Sequence, residues 1–101
     1  MTPEGKIKAQ VSALLKATPH TYYHMPVQNG MGAPSLDYVG CHCGLYFAVE
    51  TKAPSKVPTK RQHATIAAMR VAGGRVFVVD GPDTLSELRI WLSMHTDDVA
   101  F

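Results

Sequence analysis

The stretch that decides the fold runs from residue 37 to residue 54 and reads DYVGCHCGLYFAVETKAP. We predict one strand over 36–41, which begins one residue before this stretch, and a second over 45–52, because both segments contain β-branched and aromatic residues. Gly44 and its neighbours can make a tight turn between them, which predicts an antiparallel hairpin. Side chains alternate along a strand, so Glu50 and Lys52 point to the same face. Asp37, at the start of the paired strand, can reach that face too.

Two carboxylates and an ammonium meeting in a small volume would suit phosphodiester hydrolysis. Asp37 and Glu50 would hold a hard divalent ion such as Mg²⁺, which keeps several waters and binds a phosphate oxygen. Such an ion neutralises charge that develops on the phosphorus and lowers the pKa of a bound water. Lys52 can orient or deprotonate the attacking water, or stabilise charge directly. The main-chain carbonyl of Thr51 commonly completes the metal shell in sites of this kind.

A simpler interpretation of the same pattern stays open. A carboxylate and a lysine two residues apart on a strand often form a solvated face, and the spacing alone is a weak signal. The context favours a site, because Glu50 and Lys52 end the apolar run 45–49. Charges at the edge of a buried segment are costly unless they are used.

Outward from the hairpin, the pattern predicts the remaining elements. Pro3 suits the first position of a helix, Thr2 suits its N-cap, and apolar residues recur at helical spacing as far as residue 17. The segments in chain order are a helix over 3–17, a strand over 20–25, a loop over 26–35, a loop over 53–58, a helix from 59 to about 72, a strand over 75–80 and a helix over about 83–95. The strand around Val76 is strongly apolar, which predicts a central position buried on both faces. Helical spacing predicts a buried face on each of the last two helices. The first of these faces consists of Ile66, Met69 and Ala72 or Gly73, and the second consists of Leu85, Leu88, Trp91 or Leu92, and His95.

The element order α-β-β-β-α-β-α predicts an α/β fold with a mixed sheet flanked by helices. The Glu50 strand, the following helix and the Val76 strand form a β-α-β unit, which favours a parallel pair with a right-handed crossover. A chain of 101 residues is long enough for one modest core and not for two. We therefore predict a single domain over 1–101.

Composition and charge bound the class of protein. Apolar residues make up 46% and charged residues 18%, as in soluble globular proteins. No apolar run approaches the roughly 20 residues of a membrane span, and the polar start of the chain does not read as a secretory signal. We expect a cytoplasmic protein. The net charge of +2 allows a nucleic-acid partner, and the basic residues gather in the first and middle parts while the acidic residues gather near the end.

The cysteine, histidine and tyrosine residues have less specific interpretations. Cys41 and Cys43 lie too close together for an unstrained disulfide. With His42 between them, and with His20 and His24, they also suggest a zinc site. Their spacing is poor for structural zinc, which usually uses C-x₂₋₄-C pairs, so ordinary strand residues are favoured over a zinc-stabilised interaction protein. Tyr22, Tyr23 and Tyr46 could stack on bases, although aromatic residues on strands more often serve packing.

Several motifs, taken in their order along the chain, resemble a known family. They are TPEGK at 2–6, DYVGC at 37–41, GLYFAVETKAP at 44–54, PTKRQ at 58–62 and AGG at 72–74. Together they resemble the VRR-NUC family, the virus-type replication-repair nucleases of the PD-(D/E)xK superfamily, over residues 2 to about 80. Short stand-alone members, often phage-encoded, are similar to this chain in size. The resemblance implies a restriction-endonuclease-like core.

The resemblance also implies a role for each matching residue. Asp37 matches the aspartate of the family's PD motif, and Glu50 and Lys52 match its E-x-K motif. Glu4 matches a helix glutamate that approaches the metal, and Gln62 matches a glutamine that supports the site. Leu36 stands where the family usually has proline, which is not a ligand.

Two of these residues have an alternative role. Thr59 and Gln62 have the spacing of a capping box, so Gln62 could simply cap its helix. Glu4 lies in the first turn of a helix, where the helix dipole favours a carboxylate.

The function that the resemblance implies is Mg²⁺- or Mn²⁺-dependent endonuclease action on DNA that leaves 5′-phosphate ends. Stand-alone members resemble Holliday-junction resolvases, which implies a homodimer, branched DNA as substrate and, for a phage protein, the host cytoplasm. Basic residues that flank the site in sequence are candidates for DNA contact, namely Lys6, Lys8, Lys56, Lys60 and Arg61. The alternative is a non-catalytic nucleic-acid-binding module with the same fold.

Overall fold

The computed structural model describes residues 1–27 and 34–96. Seven elements follow one another in the predicted order: α1 (Pro3–Ala17), β1 (Thr21–His24), β2 (Tyr38–His42), β3 (Leu45–Thr51), α2 (Lys60–Val71), β4 (Arg75–Val79) and α3 (Pro82–Thr96). The predicted loop over 26–35 falls partly outside the described residues, at 28–33. The predicted burial of His95 also concerns a side chain outside the description.

The four strands form one mixed sheet in the order β1-β2-β3-β4. β1, β2 and β3 pair antiparallel, with Tyr38 opposite Val49, whereas β3 and β4 pair parallel, with Glu50 opposite Val78. The α/β class, the mixed sheet, the hairpin and the parallel β-α-β pair are thus confirmed.

The hairpin turn consists of Cys43 and Gly44 alone, since His42 pairs with Leu45. Both turn residues have positive φ, 51° and 82°, as a two-residue turn of the primed type requires. The prediction that Cys43 is a strand residue is therefore wrong. Cys41 stays on β2 and Cys43 bends away from it, and both are free thiols.

Helices cover the sheet on both faces. On one face, α1 and α3 pack against the sheet around Tyr38, Phe47 and Val49. On the other face, which we call the α2 face, the buried residues are Leu36, Val39, Ala48, Ile66 and Val76. The α2 face has the smaller buried cluster, because Ile66 is the only fully buried residue of α2.

Two expectations about the second half of the chain were wrong. β4 is an edge strand of the described sheet, not a central one. Its apolar run has another cause: its residues contact the helical layers on both sides, Val79 on the α1–α3 face and Val76 on the α2 face. One of Ala72 and Gly73 was expected on the buried face of α2, but both are exposed and belong to the turn that ends the helix.

His42, one of the histidines weighed as a zinc ligand, is fully buried in the core. Its ring lies 2.7 Å from the Thr21 hydroxyl, 2.9 Å from the Leu92 carbonyl and against Trp91. The structure gives it a packing role. Within the described ranges, no helix has the length and apolar character needed to cross a bilayer.

Candidate active site

Glu50 lies near the end of β3, on the α2 face, and is the most buried carboxylate among the described residues, with 3% of its surface exposed. Gln62 Nε2 donates a hydrogen bond to Glu50 Oε2 at 2.8 Å. Lys52 Nζ lies 3.6 Å from the same oxygen, with only 15% of its side chain exposed. The structure therefore brings together three of the residues that the sequence singled out.

Gln62 makes two kinds of contact, one that caps its own helix and one with Glu50. Its Oε1 accepts a hydrogen bond from the Thr59 main-chain amide, and its own amide donates to the Thr59 hydroxyl, which makes a complete capping box. Its Nε2 is still available and holds Glu50. The start of α2 is thus connected directly to the carboxylate at the end of β3.

Asp37 immediately precedes β2, beside the pair of Tyr38 and Val49. Its Oδ2 accepts hydrogen bonds from the Thr51 main-chain amide at 2.9 Å and from the Thr51 hydroxyl at 2.6 Å. These two bonds fix Asp37 at the strand end next to Glu50. The sequence analysis singled out the main-chain carbonyl of Thr51 but not its hydroxyl, which helps to hold Asp37 in place.

The two carboxylates influence each other. Burial raises the pKa of Glu50 above its ordinary value, and the negative charge of Asp37 raises it further. The Lys52 ammonium and the main-chain amide of Asp37 oppose this rise. A buried acid beside a second acid is an arrangement typical of functional sites.

Lys8, one of the candidates for DNA contact, lies between two acids. Its Nζ lies 3.9 Å from Asp37 Oδ1 and 3.7 Å from Glu4 Oε2, so it stands between the two acids. Glu4 approaches the site across Lys8 and not directly. The spacing of Glu4 and Lys8, four residues apart on a helix, was the signal that could have predicted this pair.

Among the described residues, none of the other basic candidates for DNA contact forms an ion pair with Asp37 or Glu50. Lys6 is exposed on α1, Lys56 is exposed in the loop before α2, and Lys60 and Arg61 are exposed in the first turn of α2. Their role in binding DNA stays a prediction.

The donor atoms fit a hard cation with few protein ligands. Among the described residues, no group of three His, Cys, Asp or Glu side chains is arranged to hold a metal ion. Mg²⁺, however, is commonly bound by one or two carboxylates, with water and substrate phosphate completing its shell. Asp37 and Glu50, oxygen donors with mutual repulsion that a cation would relieve, meet that requirement.

Comparison with family models and with curated proteins finds no match to this sequence. Among solved structures, a chain described as a "VRR_NUC domain" superposes with a TM-score of 0.74. The match has 21% sequence identity and covers 87% of this chain and 95% of that one. At this identity the likeness establishes the fold, so the chain has the nuclease-like α/β fold of a VRR_NUC domain. The stand-alone phage type stays a prediction.

Proposed function

We propose that this chain is a member of the VRR-NUC family and a metal-dependent endonuclease that hydrolyses DNA phosphodiester bonds. The observation that carries the proposal is the meeting of Asp37, Glu50 and Lys52 at one end of the hairpin. Gln62 holds Glu50 there, and Thr51 holds Asp37. A merely solvated pair would not have a carboxylate buried to this degree.

Asp37 and Glu50 are the residues that would hold Mg²⁺ or Mn²⁺. When bound, the ion would supply Lewis-acid stabilisation of the phosphate charge and an acidified water. Asp37 has one oxygen committed to Thr51 and its other oxygen near Lys8, a contact weak enough at 3.9 Å to yield. Glu4 would contribute only through a water or after Lys8 moves, since Lys8 stands between it and Asp37.

Thr51 would contribute its main-chain carbonyl. The amide of a strand residue and its carbonyl point to the same side of the strand. The Thr51 amide donates to Asp37, whereas the next amide, that of Lys52, donates to Val79 on the opposite side. The Thr51 carbonyl is therefore directed to the side on which Asp37 lies.

Lys52 is the residue that would orient the attacking water or stabilise the charge of the phosphate. Its ammonium is held near Glu50 and is largely shielded from solvent. In such surroundings a positive charge acts more strongly than it does in bulk water. Gln62 would fix the orientation of Glu50 and leave Lys52 free to face the substrate.

The finer proposals follow from the family resemblance. We propose cleavage that leaves 5′-phosphate ends, a preference for branched DNA such as a four-way junction or flap, and a homodimer of phage type. Two symmetric cuts need two sites, and one chain supplies one. Lys6, Lys56, Lys60 and Arg61 would contact phosphates, with Lys8 released from its acids. The two free thiols suit a reducing cytoplasm.

One observation favours a second candidate, a nucleic-acid-binding module without turnover. Lys8 lies between Glu4 and Asp37, where a cation would otherwise sit. If Lys8 remained there in the DNA complex, its ammonium would neutralise Asp37 in place of a metal.

The test is cleavage of labelled four-way junction, flap, nicked and linear duplex DNA in Mg²⁺, in Mn²⁺ and in EDTA. We expect the wild type to cut at least one of these in metal and none in EDTA. Lys52→Ala should bind DNA as the wild type does and lose at least about a hundredfold in rate. Lys16→Ala, an exposed lysine in the last turn of α1, is the matched control. A Lys52→Ala protein that cuts at the wild-type rate would refute the assignment.

A further inference from the structure

Part of the α2 face is not covered by any described helix and carries exposed aromatic side chains. Tyr23 packs into the core on the α1–α3 face, so alternation along β1 places Tyr22 and His24 on the α2 face. Tyr22 is 69% exposed and Tyr46, on β3, is 48% exposed. Neither tyrosine contributes to either buried cluster, so packing does not explain them.

The register places the two tyrosines in one row. Tyr22 pairs with Cys41, and Cys41 pairs with Tyr46. All three therefore lie on the α2 face, and the two tyrosines are two strand spacings apart, about 10 Å. Cys41 between them is small and exposed, so the row is open to a flat ligand above it.

A groove of about 580 Å³ lies beside Tyr46, between β3 and the last turns of α2. Its walls include Ala68, Met69 and Gly74, and the Tyr46 ring lies directly against Gly74. This volume falls in the range of sites that accept a small flat molecule. An apolar wall beside an aromatic ring suits a base and its sugar.

The distribution of acidic and basic residues indicates which kind of partner the α2 face would bind. Apart from Asp37 and Glu50, no acidic residue occurs anywhere between residues 5 and 79, so β1, β2, β3, α2 and β4 otherwise have none. Six of the ten Lys and Arg residues lie between 51 and 79. The acids Asp80, Asp83 and Glu87 belong to the segment that leads into and forms α3, on the opposite face. A polyanion is therefore favoured on the α2 face, and a surface whose only carboxylates are those of the proposed active site, with open rings beside it, fits a nucleic acid better than a second copy.

One end of the row, Tyr46, lies on the same strand and the same face as Glu50 of the proposed active site. Tyr46, Ala48 and Glu50 alternate along β3 and share the α2 face. Tyr46 and Glu50 are four residues apart, about 13 Å along the strand. This distance corresponds to about four nucleotides at the B-form spacing of about 3.4 Å, and to fewer in an extended strand.

We propose that Tyr22, Tyr46 and the adjoining groove form a stacking site for unpaired bases, so that among branched DNAs a flap with a single-stranded segment next to the cut is favoured over a fully paired four-way junction. The rings of a duplex are stacked on one another and do not offer their faces, whereas unpaired bases stack readily on tyrosine. The inference rests on the proposed nuclease function, because only a nuclease would have a cut next to the stacked bases. Binding itself does not depend on turnover.

The test is therefore binding in EDTA, where no cleavage occurs. Fluorescently labelled single-stranded, splayed-arm, four-way-junction and continuous duplex oligonucleotides are titrated with wild type, Tyr22→Ala, Tyr46→Ala and the double variant. We expect each alanine to weaken single-strand and splayed-arm binding about tenfold. Binding of the duplex and of the fully paired four-way junction, which offer no unpaired bases, should change less than about twofold. Tyr22→Phe and Tyr46→Phe keep the ring and should bind as wild type, and Ile90→Ala, an exposed residue on α3, is the control.

A second measurement does not depend on variants that could misfold. Oligonucleotides carrying 5-iodo-2′-deoxyuridine in the single-stranded segment are irradiated with the wild-type protein, and the cross-linked peptide is mapped. Cross-links at Tyr22 or Tyr46 support the site. Equal weakening on duplex and single strands, or cross-links only elsewhere, would overturn it. A loss of dimer in sedimentation with unchanged DNA affinity would also overturn it, by assigning the row to a second copy. These experiments measure binding and not cleavage, so the two proposals can fail separately. A protein without nuclease activity would contradict the proposed function and could still bind unpaired bases at the two tyrosines.

Discussion

At the scale of single residues, Gln62 connects helix capping with the proposed chemistry. Gln62→Glu keeps an acceptor for the Thr59 amide, so the capping box survives. It removes the amide donor and sets a second carboxylate against buried Glu50. We expect a fall in cleavage rate of about tenfold or more, because a hydrogen bond to a charged group is worth about 1.5–3 kcal/mol. Thr59→Ala is the complement: it should cost about 1 kcal/mol of unfolding free energy and leave the cleavage rate nearly unchanged. Equal rates for wild type and Gln62→Glu would show that the contact has no role in the reaction.

Glu50 predicts a pH dependence in metal-free protein. Its pKa is raised in the folded state by burial and by Asp37, so the folded protein binds this proton more tightly than the unfolded chain. The resulting stability is present below the ordinary pKa of a glutamate and is lost as the pH rises through the folded pKa. Glu50→Gln should therefore raise the unfolding midpoint in EDTA at pH 8 and remove this part of the pH dependence.

The same pair of proteins tests the metal site by stability. Mg²⁺ should raise the midpoint of the wild type, because a ligand that binds only the folded state stabilises it. The midpoint of Glu50→Gln should respond much less. A midpoint of Glu50→Gln that rises with Mg²⁺ as steeply as that of the wild type would place the ion elsewhere.

At the scale of elements, the row of tyrosines depends on β1 lying close against the hairpin. Gly40 on β2 makes this possible, because a Cβ there would collide with the Tyr22 carbonyl oxygen and crowd the Tyr23 Cα. Backbone atoms cannot move aside as a flexible side chain can, so Gly40→Ala should cost about 2 kcal/mol or more of unfolding free energy. Gly81→Ala is the matched control, since a Cβ at Gly81 meets nothing within 4 Å. Denaturant unfolding of the two variants decides the matter, and equal midpoints would show that β1 is not tightly paired.

The elements also show how far the sequence could predict the structure. The hairpin and the positions of Glu50 and Lys52 follow from alternation and turn residues, which are local, and they were predicted correctly. The edge position of β4 depends on pairing across the chain, and its apolar run reflects cover by helices on two faces. The sequence shows that Lys8 is basic, and on that ground Lys8 was predicted to contact DNA. Its contact with Asp37, 29 positions further along the chain, depends on the tertiary fold and could not be predicted from the sequence.

At the scale of the whole molecule, the acidic residues of the described helices lie on one side of the sheet, the side of α1 and α3, and α2 has none. The basic residues around α2 lie on one side with the proposed site, and Asp83 and Glu87 lie on α3, on the other. Each phosphate contact releases condensed counterions, so affinity falls with salt in proportion to the number of contacts. We expect the wild-type binding constant for a splayed-arm oligonucleotide to fall steeply between 50 mM and 200 mM salt.

Basic residues on the two sides of the sheet can be compared by mutation. Lys60→Ala and Arg61→Ala, in the first turn of α2, should each reduce the slope of log K against log salt by about one. Arg89→Ala removes an exposed arginine from α3 and should leave the slope unchanged. These positions differ in their side of the sheet and not in net charge, so overall charge cannot explain a difference between them. Identical slopes for all three variants would mean that long-range attraction to the whole molecule, and not contact with the α2 side, determines binding.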